Sequence, residues 1–146
     1  MLVKSKVWIQ QFLLGKDIEL HTGFERRYLV SRTVLHKKIE RFFPNRKKVV
    51  SIGHSLGGAL AGICAADLAI SLNLNVRWYS STITYQSIII DSIKLSIQCS
   101  TITLAAPKIG NQAFTDLFIS KTETSTRILI NDDPVTALPC FPWFKV

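Results

Sequence analysis

Val49-Val50-Ser51-Ile52-Gly53-His54-Ser55-Leu56-Gly57-Gly58, continued by the small-residue run Ala59 to Ala69, decides how this chain is read. An apolar strand runs into Gly53-His54-Ser55-Leu56-Gly57, and a helix runs out of it. The pentapeptide Gly-x-Ser-x-Gly arises often by chance, but set between a strand and a helix it reads as a nucleophile elbow. The serine of such a turn sits in strained backbone geometry with its hydroxyl above the sheet edge. Residues two before and two after it pass close together, so a side chain at Gly53 or at Gly57 is expected to clash. Gly58, Ala59 and Ala61 are expected to let the helix approach the sheet. Its first amides and positive dipole end then face the reaction centre. An idle serine in an ordinary tight turn is the plainer account, and it explains the pentapeptide but not its setting.

The chain has 146 residues, of which 47% are hydrophobic, and its mean hydropathy is +0.23. That is enough for one domain with its own core, and residues 1–146 are read as a single domain. No apolar run reaches the roughly 18 residues of a membrane span. Met1 to Lys6 carries positive charge, but Gln10 and Gln11 break the apolar stretch behind it, and no small-residue cleavage site follows. No signal peptide is therefore read, and the compartment is left open.

Formal net charge is +8, much of it in Arg26, Arg27, Arg32, Lys37, Lys38, Arg41, Arg46, Lys47 and Lys48. A solvated helix face is the expected reason. The sharper alternative is transient contact with an anionic lipid surface, which would fade with salt. Nucleic acid is not an expected partner, because the cations are not interleaved with stacking aromatics and no binding motif appears. Cys64, Cys99 and Cys140 form neither a disulfide framework nor a metal-ligand spacing, and they fit a reducing compartment. Cys64 falls on the apolar side of the helix after Ser55 and is expected in the core. No metal or organic cofactor is implied.

Along the chain, Val7 to Leu14 reads as a short amphipathic helix and Ile18 to Leu20 as the end of a strand. Tyr28, Leu29, Leu35, Ile39, Phe42 and Phe43 recur at helical spacing, so Phe24 to Phe43 reads as a long helix stopped by Pro44. Lys48 to Ile52 is a strand without polar alternation except at Ser51, the pattern of a strand covered on both faces. Leu56 to Leu72 is the helix after the elbow. Thr101 to Ala105 and Arg127 to Ile130 are further strands, with a helix over Gly110 to Ile119 between them. Val76 to Cys99 has strong β character and predicts another strand or a hairpin, with an exposed apolar surface as the alternative. Strands alternating with helices imply an α/β fold with a mostly parallel central sheet flanked by helices.

A serine hydroxyl needs a base to take its proton and a carboxylate to orient that base. In hydrolases of this architecture the order is serine, acid, histidine, with the acid at the C-terminal end of a later strand. Asn131-Asp132-Asp133-Pro134 follows the strand ending at Ile130 and supplies two candidates, although such a turn also ends strands for conformational reasons. Asp67, Asp91 and Asp116 are poorer candidates, since they fall on helices or in the β-rich stretch. The histidines are His21, His36 and His54, all before the serine. His54 is expected to be a hydrogen-bonded core residue, His36 solvated on the basic helix, and His21 bonded to backbone groups of its own turn. None is placed as the base.

These segments together resemble the class 3, fungal-type triacylglycerol lipases of the α/β-hydrolase fold. His21-Thr22-Gly23-Phe24 with Tyr28 resembles the family's turn into the helix before the elbow. Gly53 to Gly58, with Ala59-Leu60-Ala61 and Asp67-Leu68-Ala69, resembles its elbow and following helix. Ala106-Pro107-Lys108-Ile109-Gly110-Asn111 with Phe114 resembles its Gly-x-Pro-Arg-x-Gly-Asn segment. Arg127-Ile128 and Asp133-Pro134-Val135-Thr136-Ala137-Leu138-Pro139 resemble the strand and loop that carry its acid. The match makes Ser55 the nucleophile, Asp133 rather than Asp132 the acid, and the Leu56 amide one oxyanion donor. Ala105 stands where the family usually has glycine, and Lys108 where it usually has arginine. Leu74 to Cys99 is longer than the family leads one to expect. Trp8 resembles a tryptophan after the family's oxyanion-hole serine or threonine, a residue that would then fall near Leu2. The base histidine and its strand have no counterpart, so the chain is expected to be the central part of a lipase domain, incomplete at both ends.

The implied reaction is lipid ester hydrolysis through an acyl-enzyme. Without the histidine this chain alone is expected to be weak or inactive, since loss of a triad histidine costs on the order of 10⁶ in a serine protease. A catalytically dead, lipase-like module that binds lipid or protein is the alternative, and a basic membrane-surface domain is a third. The family is often secreted. Nothing in the residues selects head group or acyl length.

Overall fold

The computed structural model describes residues 17–44, 48–73, 98–129 and 131–138. Helix α1 spans Thr22–Phe42. It stops where a residue preceding proline is pushed out of the helical region, and Phe43 takes φ −133° and ψ 55°. Strand β1 (Lys48–His54) leads through Ser55 into helix α2 (Leu56–Asn73). Strand β2 (Gln98–Leu104), helix α3 (Gln112–Lys121), strand β3 (Thr124–Ile128) and the single turn α4 (Pro134–Ala137) complete the described elements.

The three strands form a parallel sheet in the order β1-β2-β3. The register aligns His54 with Leu104, and Leu104 with Ile128, so all three strands end on one rim. Helix α2 lies across β1 and β2, and α1 and α3 pack against α2. This explains why α2 reads apolar all round: it is covered by the sheet on one side and by helices on the other. One core cluster joins Ile18, Leu20, Tyr28, Ile63, Ala66, Ile70 and Phe114. A smaller one joins Leu68, Ala69 and Cys99, with Cys64 packed against both.

Several sequence expectations are corrected. The described residues cover β1 on one face: Val49, Ser51 and Gly53 are partly buried, while Val50 and Ile52 on the alternate face are 46% and 65% exposed. Leu104 and Ile128 continue that bare apolar face. β3 begins three residues before Arg127 and ends at Ile128, because Ser100 to Leu104 of β2 provide its pairing row. Ile18 to Leu20 forms no strand but a lone antiparallel bridge from Leu20 to Gly110. Helix α3 starts two residues later than expected, because Asn111 caps it by accepting from the Phe114 amide at 3.0 Å. The same side chain accepts from the Glu19 amide and donates to the Asp17 carbonyl, tying the segment before α1 to the loop after β2. The expectations for Val7 to Leu14 and for 74–97 fall outside the described residues.

Candidate active site

Ser55 occupies the corner between β1 and α2 at φ 52°, a left-handed conformation that costs a serine roughly 1–3 kcal/mol. The corner is held from both sides. The Ser55 amide donates to the Leu104 carbonyl at 2.9 Å, and the Ser55 carbonyl accepts from the Gly58 and Ala59 amides. The Leu56 and Gly57 amides, at the start of the helix, have no carbonyl one turn behind them within it. They form the electropositive end of α2 beside the serine.

Gly53 fits the expectation made for it: a Cβ there would overlap the Gly57 carbonyl and lie 2.6 Å from the Gly58 nitrogen. Gly57 does not, since a Cβ there would meet nothing within 4 Å. The close approach is one-sided: the α-carbon of Gly53 faces the Gly57 backbone, while the α-carbon of Gly57 faces outward. Gly58 is pressed against Ala106, where a Cβ would come within 2.7 Å of the alanine methyl.

Asp132 and Asp133 follow β3 on the same rim, one strand beyond β2. Asp132 turns the chain at φ 65° and is exposed. Asp133 is half-buried and caps α4, its Oδ1 accepting from the Val135 amide at 2.9 Å. Its carbonyl accepts from the Thr136 hydroxyl and amide. This turn is anchored to the loop after β2 by two contacts: Arg127 Nη2 donates to the carbonyls of both Ala106 and Thr136, and the Lys108 amide donates to the Leu138 carbonyl. Partial burial lowers the Arg127 pKa. In the sequence Arg127 stands out only within a motif. Its position as the one cation in a β-rich strand was the available sign of this second role.

The histidines are placed differently from their expectations. His54 is exposed rather than in the core, because residue 54 shares the bare face with Val50 and Ile52. The His21 ring lies tilted against Phe24, 4.3 Å between centroids, and its buried Nδ1 has no hydrogen-bond partner among the described residues. Burial lowers its pKa. His36 is not solvated: its Nε2 lies 2.8 Å from Asp67 Oδ2.

Asp67 is the centre of a buried polar cluster between α1 and α2. Its Oδ2 accepts from Tyr28 (2.6 Å) and Arg32 Nε (2.8 Å), and its Oδ1 from Arg32 Nη2 (2.8 Å) and Ser71 (2.7 Å). Burial alone would raise this carboxyl's pKa. The hydrogen bonds from His36, Arg32 and Tyr28 and the Arg32 charge outweigh it and hold the group well below the usual range. Burial pushes the Tyr28 hydroxyl and the Cys64 thiol upward, with the Asp67 charge adding to both. Arg32 is thus buried and not on the solvated basic face, on which Arg26, Arg27, Lys37, Lys38 and Arg41 are exposed. Among the described residues no cluster of metal-binding side chains occurs, and no helix is long and apolar enough to cross a membrane.

Comparison with known proteins agrees with this architecture. The family described as lipase (class 3) matches residues 2–143, and the chain belongs to that family. Among solved structures it is similar to the Rhizomucor miehei triacylglyceride lipase, at 21% identity and a TM-score of 0.66, over 95% of this chain and 44% of that one. A propeptide complex of the Rhizomucor miehei lipase matches at 26% identity and a TM-score of 0.54, over 84% of this chain and 34% of that one. A triacylglycerol lipase from Penicillium expansum matches at 21% identity and a TM-score of 0.61, over 99% and 48%. The chain therefore spans between a third and a half of the length of these structures. A search of curated proteins returned no match.

Proposed function

We propose that this chain carries the nucleophile and acid of a serine carboxylic-ester hydrolase acting on lipid esters. Ser55 attacks the ester carbonyl, the Leu56 amide donates to the developing oxyanion, and Asp133 orients the base. The observation that carries the reading is the corner at Ser55: a strained φ of 52°, reached only because Gly53 lets the Gly57 backbone pass over it. Ala105 and Asp132 share the left-handed conformation, but Ser55 alone joins it to a reactive hydroxyl at the start of a long helix. The parallel register supports the pairing with Asp133, since β1 and β3 flank β2 and deliver both residues to one rim. Membership of the class 3 lipases supports lipid esters as the substrate class.

The base is the incomplete part. His36 is committed to Asp67, His54 is exposed on the bare sheet face, and His21 lies beside Phe24 and the Ile109 carbonyl that its amide meets. Hydrolysis by this chain alone is accordingly weak or absent, and the same arrangement without a base also suits a lipid-binding or protein-interaction module. Turnover of p-nitrophenyl butyrate by the wild-type chain and by Ser55→Ala separates the two. Slow turnover that Ser55→Ala removes supports the hydrolase. Turnover that Ser55→Ala leaves unchanged favours the module. Where none rises above buffer, a fluorophosphonate adduct on Ser55 supports the hydrolase and its absence the module.

A further inference from the structure

Helix α3 packs against α2 and stands off the sheet, leaving a cleft of about 260 Å³ between itself and the helix-facing side of β2 and β3. At about 30 Å³ for each water-sized group, that is room for roughly nine of them. Phe118 and Ile119 of α3 give it an apolar wall, and Ile119 is 63% exposed there. The opposite wall is polar in a specific way. Thr103 and Arg127 are register partners on β2 and β3, so their side chains stand side by side on the face that lines the cleft. Arg127 makes both its hydrogen bonds through Nη2, so Nε and Nη1 are uncommitted among the described residues. The Thr103 hydroxyl likewise makes no hydrogen bond among the described residues, although the residue is only 6% exposed.

A planar cation with spare donors, a neighbouring hydroxyl and an apolar wall define one ligand chemistry, a carboxylate on an alkyl chain. We propose that this cleft binds a medium-chain fatty acid, its carboxylate held by Arg127 and Thr103 and its chain laid along Phe118 and Ile119. The site lies below the rim, on the helix-covered side of the sheet, and is separate from Ser55. Binding is reversible, breaks no bond and does not depend on the hydrolase reading.

The test is calorimetric titration of the full chain with octanoate and with octanol, both below their aggregation limits. Octanoate is expected to bind about tenfold more tightly than octanol. Thr103→Val should weaken octanoate several-fold and leave octanol unchanged, and Arg127→Gln should erase the preference. Because Arg127 also anchors the Asp133 turn, circular dichroism decides whether Arg127→Gln is folded. If it is not, the ligand pair on the wild type and Thr103→Val carry the test alone. No octanoate binding, equal affinity for the two ligands, or an unchanged octanoate affinity in Thr103→Val would overturn the proposal.

Discussion

Arg127 holds Thr136: one guanidinium nitrogen spans 3.0 Å to the Thr136 carbonyl and 2.9 Å to that of Ala106. A single cation on β3 thereby joins the turn that carries Asp133 to the loop leaving β2. Arg127→Ala removes two charge-assisted bonds and leaves two carbonyls to find other partners. The expected loss is about 2 kcal/mol, discounted from the sum because the side chain is half open to water. Chemical denaturation measures it. Amide exchange should show faster opening at Val135 and Thr136 than at the α2 amides.

Gly53 and Gly57 look equivalent in the motif and are not equivalent in space. Gly53→Ala forces a methyl into the Gly57 carbonyl, where only backbone movement can relieve it. It is expected to cost more than about 4 kcal/mol, enough to unfold a marginal domain. Gly57→Ala enters open space in the first turn of α2 and should be neutral or stabilising by roughly 0.4–1 kcal/mol. Thermal unfolding of the two variants side by side checks the contrast.

Ala105 adopts φ 48°, a conformation that glycine reaches without penalty. It stands where the resemblance to class 3 lipases leads one to expect glycine. Ala105→Gly should therefore stabilise the chain, by about 1 kcal/mol before the small loss of a buried methyl is counted. A lower denaturation midpoint would contradict the strain assigned to this position.

Asp67 makes stability depend on acid. Its folded pKa is depressed below the unfolded value of about 3.9, so its contribution is complete above that value and is lost as pH falls toward the folded one. Asp67→Asn removes the carboxylate charge that faces the buried Arg32 guanidinium and should cost roughly 3–5 kcal/mol at pH 7. The gap between wild type and Asp67→Asn should narrow steadily below about pH 4. A gap that does not change with pH would show that the carboxylate charge is not what stabilises the α1–α2 junction.

The sheet, the long α1 and α2, and the elbow were legible because each rests on local signals: apolar periodicity, Pro44 as a stop, and small residues where backbones approach. What was not legible came from pairing in space. The register that starts β3 at Thr124 depends on β2, and nothing local marks it. His36 reads as solvated because it sits on a basic helix, yet one helical turn from Arg32 it reaches a carboxylate on another helix. His54 reads as core because, next to Ser55 in the elbow, its side chain must point away from the serine, yet alternation puts it on the face that the described elements leave bare. The symmetric expectation for Gly53 and Gly57 failed because the motif records that two backbones approach, not which α-carbon faces the other.

The central claim is that the Ser55 hydroxyl is a nucleophile awaiting a base. An alkyl fluorophosphonate, with peptide mapping by mass spectrometry across a range of added imidazole, tests it directly. The account predicts an adduct on Ser55 whose rate rises with imidazole and which Ser55→Ala eliminates without shifting the label elsewhere. No adduct on Ser55 at any imidazole concentration, or labelling spread over other serines and unchanged in Ser55→Ala, would contradict it.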